Sequence, residues 1–167
     1  MIRIQELVKI YGSKTVIDRL SIQFEKGKVY GIVGENGAGK TTLFRCIAGL
    51  EQFDGVIDSL VQPLKNKLGY LAAEQFFFDK ITGREYIQLL CNGRSVKIEN
   101  LDARNIFDLP LDQYAVEYST GMKKKLALFA VLLQENEVFI LDEPFNGVDI
   151  QSNIIITEII HELKRLG

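Results

Sequence analysis

The chain has 167 residues, enough for one good hydrophobic core and short of two comfortable domains. Apolar residues make up 47% and charged residues 25%, and the formal net charge of −2 excludes a general attraction to nucleic acid or to an anionic membrane. No apolar stretch approaches the roughly 20 residues that cross a bilayer, MIRIQELVKIYG lacks the apolar run of a secretory signal, and Cys46 and Cys91 read as two free thiols of a reducing cytosol.

In chain order, Ile2 and Ile4, and then Leu20, Ile22 and Phe24, alternate with polar neighbours, the period of half-buried strands in an antiparallel layer. VYGIV at 29–33 is continuously apolar, which predicts a strand buried on both faces. TTLFRCIAGL has helical spacing and closes on Gly49. Residues 54–71 supply two short strands around a loop at Pro63. From about 76 to 118 the texture turns helical, in TGREYIQLL and IENLDARNIF, with a turn at Pro110. Met122, Leu126, Phe129, Ala130 and Leu133 then mark one buried face of a helix. VFIL at 138–141 predicts a second fully buried strand, and Ile150 to Leu166 a last amphipathic helix. Strands alternating with helices specify an α/β fold, a mainly parallel sheet flanked by helices, with an N-terminal antiparallel β layer and a helical insertion. We divide the single domain, 1–167, into a core with its β layer (1–75), a helical subdomain (about 76–135) and a second acidic strand with its following helix (136–167).

GENGAGKTT stands between the apolar strand and the first helix. Gly34, four residues, then Gly39, Lys40 and Thr41 fit GxxxxGK[ST], the phosphate-binding loop, in the strand-before, helix-after context it requires. Glycines let the backbone of Gly34, Glu35, Asn36, Gly37, Ala38 and Gly39 curl until its N–H groups face a β-phosphate. The helix N-terminus adds its positive end. Lys40 brings a cation to the β/γ oxygens, the Thr41 hydroxyl coordinates Mg2+, and Thr42 reaches the α-phosphate. Downstream, VFILDEP delivers Asp142 at the carboxyl end of a strand, where α/β sheets bind ligands. Asp142 is the expected second Mg2+ residue, acting through water, and Glu143 the carboxylate that polarises the attacking water. No NKxD string selects guanine, since Asn66-Lys67-Leu68-Gly69 lacks the aspartate, so a GTPase or small-molecule kinase is the weaker reading.

GENGAGKTT, YSTGMKKKLALFAVLL and VFILDEPFNGVD, in that order, resemble the ATP-binding subunit of ABC transporters, nearest the bacterial exporter type whose signature reads like YSxGMK. The resemblance covers the whole chain and makes it a single ABC ATPase domain. It implies ATP and Mg2+ as cofactors, with hydrolysis driving transport through a separate membrane permease. It also implies a homo- or heterodimer of ATPase subunits at the cytoplasmic face of the cell membrane, and no nucleic-acid partner. Tyr11 takes the place of the aromatic that stacks on adenine. Ser119, Thr120 and Gly121 take the place of the signature that caps a partner's nucleotide, although Ser119 also suits a plain helix cap. Asn146 to Asp149 resemble the loop that crosses the dimer interface, and Asp149 can equally cap the last helix. Ala73 stands where the family's metal-contacting glutamine is expected, leaving Gln75 or Glu74 as a substitute. Lys123, Lys124 and Lys125 read as a solvated helix face. Of the three phenylalanines at 76–78, at least one is expected to be exposed where a permease would dock. The family continues into a further core strand with a switch histidine, which His161 is not. The resemblance therefore implies a C-terminally truncated chain or a natural short form, with weak hydrolysis by itself. A soluble ABC-type ATPase, or an ATP-binding fragment without hydrolysis, is the alternative.

Overall fold

The computed structural model describes residues 1–166, with nothing stated of the Leu166 side chain. It contains two compact units, Met1–Leu68 with the end of the last helix from Ile160, and Gly69–Ile159, and each is described by itself.

In the first unit, β1 (Ile2–Tyr11), β2 (Lys14–Phe24) and β3 (Asp54–Ser59) form an antiparallel sheet in the order β2-β1-β3. Ile2 and Ile4 face inward, as their alternation predicts. At Glu6, where φ is 50°, the ladder slips, and the inward face resumes at Leu7 and Lys9. Gly55, opposite the slip with φ 105°, is a position only glycine fits, because a Cβ there would lie 2.5 Å from the Glu6 carbonyl oxygen. The helix α1 (Lys40–Ile47) buries Leu43, Cys46 and Ile47 and ends where Gly49 turns left-handed at φ 72°. The short α2 (Leu64–Lys67) follows a cis Gln62–Pro63 bond.

VYGIV does not form the doubly buried strand its composition predicts. Residues 28–35 join no ladder, and Val33 is 95% exposed, with Val29 and Tyr30 also exposed. A strand buried on both faces needs a neighbour on each edge; the strands of its own unit pair among themselves, and Tyr30 instead packs edge-on against Phe24, its hydroxyl oxygen accepting from the Glu25 amide at 2.9 Å.

In the second unit, β4 (Leu68–Leu71) pairs with β5 (Val138–Leu141) as a parallel pair. Only Ile140 of β5 is fully buried, so VFIL is a partly covered strand rather than a wholly buried one. The helix α3 (Gly83–Asn92) opens on a reciprocal cap, in which Thr82 accepts from the Glu85 amide and the Glu85 carboxylate accepts from the Thr82 amide. It packs on α4 (Thr120–Leu132). The expected helix at IENLDARNIF is only a single 3-10 turn at Asp102–Arg104. Asn100 and Asp108 are left-handed at φ 53° and 48°, and the Asn105 side chain bonds both the amide and the carbonyl of Leu109, drawing the backbone away from a helical ladder. Arg84 ties this loop down by pairing with Asp102 and Asp112 at 2.8 and 2.7 Å. Within α4, Leu126 to Val131 are all buried, so the helix is enclosed on every side rather than along one face. The last helix is α5 (Ile150–Leu166).

Candidate functional site

The glycine-rich loop lies in the first unit and leads directly into α1. Gly37 and Gly39 are left-handed at φ 82° and 91°, which a side chain would disfavour. Gly39 sits against β2, where a Cβ would come within 3.1 Å of the Val16 carbonyl oxygen. Gly39 offers no side chain to cap α1, and the first turn carries no acid, so the helix's opening N–H groups are left for an external acceptor. Lys40 folds back over the loop and donates to the carbonyls of Gly34 at 2.7 Å and Glu35 at 2.8 Å. Glu35, Asn36, Gly37, Ala38 and Thr41 are exposed, while Thr42 is half-buried. Amides, a helix N-terminus and one ammonium on an open loop fit a polyphosphate.

Tyr11 lies at the end of β1, 44% exposed, with the Lys9 ammonium 4.5 Å from its ring centroid. Lys9 also pairs with Glu51 at 3.0 Å and donates to the Gln52 carbonyl at 2.7 Å. Glu51, beside that ammonium, is held below the usual carboxylate range, and Lys9 is raised by the same bond. One face of the Tyr11 ring is thus engaged by a cation. Sequence periodicity alone hides Lys9, because the slip at Glu6 is what turns it inward.

The second unit holds the acidic residues. β5 carries Asp142 to a 2% exposed position, where its amide bonds the Leu71 carbonyl at 2.9 Å and its Oδ2 has no hydrogen-bond partner. A buried, unpaired carboxylate oxygen is a group that a cation would satisfy. Among the described residues no group of three or more His, Cys, Asp or Glu could hold a metal ion. A single buried carboxylate oxygen suits a hard cation such as Mg2+, which takes one or two protein ligands and completes its shell with phosphate and water. Glu143 is exposed and left-handed at φ 50°, and its carboxylate accepts from Asn146 Nδ2 at 3.1 Å.

Ser119 caps α4, its hydroxyl accepting from the Met122 amide at 3.2 Å. Gly121 lies so close to the loop that follows β5 that a Cβ would be 2.7 Å from the Gly147 carbonyl oxygen. Asp149 caps α5 by accepting from the Ser152 amide and hydroxyl, both at 2.8 Å, and pairs with Lys125 at 3.2 Å. The Ser152 bonds hold the Asp149 carboxyl well below the usual range. The lysine run is not a solvated face. Lys124 is 3% exposed and donates to the Glu143 carbonyl at 2.8 Å, and burial pulls its pKa down against the pull of Glu143 and Asp142. The signal was present in the spacing, since Lys124 shares one helix face with Leu128 and Val131.

Gln75 turns its amide back onto the Ala72 carbonyl at 2.6 Å. Of the three phenylalanines, Phe77 is buried against Tyr86, whereas Phe76 and Phe78 are 75% and 57% exposed and pack edge-to-face on each other. His161 is an exposed residue of α5. Ser119, Gly121, Asp142, Glu143 and Asp149 thus share the second unit, while Tyr11 and the phosphate loop share the first.

A family model described as "ABC transporter" matches residues 17–146. The chain belongs to the ABC transporter family. The ABC transporter ATP-binding protein NatA of Bacillus subtilis is 37% identical, over 98% of this chain and 72% of its own length. The bacitracin transport ATP-binding protein BcrA of Enterococcus faecalis is 34% identical, over the whole of this chain and 57% of its own length. The chain therefore spans little more than half of that relative. A solved structure of a putative ABC transporter ATP-binding protein from Pyrococcus furiosus aligns with a TM-score of 0.84 at 28% identity, over 99% of this chain and 87% of that one.

Proposed function

We propose that this ABC family member binds MgATP and hydrolyses it to drive transport through a separate membrane permease. The observation that carries the reading is the phosphate loop of a family member, with Lys40 and an uncapped helix N-terminus on one exposed turn. The loop from Gly34 to Thr42 would hold the triphosphate and Tyr11 would support adenine; Thr41 and Asp142 would each serve as a Mg2+ ligand, as would Gln75 in a shifted loop. When bound there, Mg2+ would supply charge to offset that of the phosphates. Glu143 then orients water at the γ-phosphate. Two ATPase subunits, alike or different, close over the nucleotides, with Ser119 and Gly121 of one facing the triphosphate of the other and Asp149 at their interface. Exposed Phe76 and Phe78 supply apolar surface for the permease.

Calorimetry with magnesium is expected to register ATP uptake by the parent chain and none by Lys40→Ala. In single-turnover assays Glu143→Gln is expected to lower the hydrolysis rate about 10²–10⁴-fold while ATP still binds. A parent chain that takes up no ATP, or hydrolysis undiminished in Glu143→Gln, overturns the reading.

A further inference from the structure

We infer that Lys124 is a positioning residue for Glu143, its buried ammonium fixing the peptide from which that carboxylate projects. This rests on the reading of Glu143 as the water-polarising group.

The geometry is local and lies within one unit. A lysine only 3% exposed must place its donors on fixed acceptors, and among the described residues the one it meets is the Glu143 carbonyl, at 2.8 Å. Glu143 itself is left-handed at φ 50°, a state that a residue with a side chain keeps only where its surroundings impose it. Two grips do so. Asn146 bonds both ends of the residue from within the turn, its amide on the Glu143 carbonyl at 3.2 Å and its Nδ2 on the carboxylate at 3.1 Å. Lys124 reaches in from α4 and ties Glu143 itself to that helix. The same helix seats Gly121 under Gly147 and pairs Lys125 with Asp149, so α4 holds the turn at Glu143 and again after it. With the ammonium removed, the Glu143 carbonyl keeps only the Asn146 amide, and the turn can relax toward ordinary φ. The carboxylate then loses its aim without loss of any group that touches nucleotide.

The test uses the whole chain carrying Lys124→Met, Lys124→Arg, Glu143→Gln and the Met/Gln double change. It reads single-turnover MgATP hydrolysis, ATP affinity and amide exchange over 142–149. Lys124→Met is expected to slow hydrolysis tenfold or more, on the order of a misplaced catalytic base, while the Kd for ATP stays within about threefold. Exchange should rise over 143–147 and not in the core of α4. Lys124→Arg should restore protection and most of the rate. On the Glu143→Gln background, Lys124→Met should add less than about twofold, because both changes then remove one effect. Losses that multiply in the double variant, an affinity that falls in step with the rate, or unchanged exchange over 142–149 would each overturn the proposal. Should Lys124→Met fail to fold, Lys124→Gln, which keeps a shorter N–H donor, carries the same comparisons. Undiminished hydrolysis in Glu143→Gln removes the role of Glu143 and the proposal with it. That outcome differs from failure of Lys124 alone, in which Glu143→Gln is slow and Lys124→Met is not.

Discussion

Gly121 stands where a methyl group would collide with backbone. Its would-be Cβ lies 2.7 Å from the Gly147 carbonyl, and a carbonyl at a turn cannot swing away as the end of a flexible side chain would. The family resemblance assigns this glycine to a partner's phosphate, yet the protein needs it small for a nearer reason. Gly121→Ala is therefore expected to destabilise the fold by about 1–3 kcal/mol, the usual cost of overpacking. Thermal melting in the absence of nucleotide checks this, and an unchanged Tm would show that the loop yields freely. At this scale the sequence was readable where a residue type has one chemical use, as in Lys40 between glycines. It was opaque where the use depends on what packs opposite, which is why three consecutive lysines read alike but differ in burial and partner.

Helices declared themselves through their ends. Ser119 and Asp149, each suited to capping, satisfy orphan amides where α4 and α5 begin, and Thr82 with Glu85, a pair composition alone did not single out, does the same for α3. Asp149 makes that dependence titratable. Its folded carboxyl sits below its unfolded value, so the stability it contributes is present above about pH 4 and is lost as pH falls through the folded value. Asp149→Ala is expected to lower the Tm at pH 7, with the gap to the parent narrowing below about pH 4. A gap constant across that range would separate Asp149 from the stability of α5. Two elements read from composition alone were misread. IENLDARNIF has helical composition, but Asn105 offers the backbone competing bonds, and VYGIV is apolar without a neighbour to bury it in its own unit. Apolar composition predicts burial only when a partner surface exists.

For the molecule as a whole, the order of strands and helices was legible because each hydrophobic period is local, and the family's motifs fall in one order along the chain. The division into units was not, since which segments cluster depends on contacts between residues far apart in sequence. Each unit carries one thiol of its own, Cys46 in the first and Cys91 in the second, both 1% exposed. Burial raises both, Cys91 to about 11. At pH 8 Cys91 is therefore held as the thiol rather than the reactive thiolate. Neither cysteine is expected to react with iodoacetamide in the native protein, and both should react at ordinary rates once denatured. Mass spectrometry after timed alkylation reads this directly, and rapid native labelling of either one would show that its unit opens.

The lysine of the phosphate loop has two of its three N–H groups committed to carbonyls of its own turn. An arriving anion does not find a bare cation; it must outbid two peptide oxygens for hydrogens already in use. Capture at this loop is consequently an exchange of acceptors, favourable in proportion to the charge and number of oxygens the newcomer presents, and a small singly charged ion has little to offer in that trade.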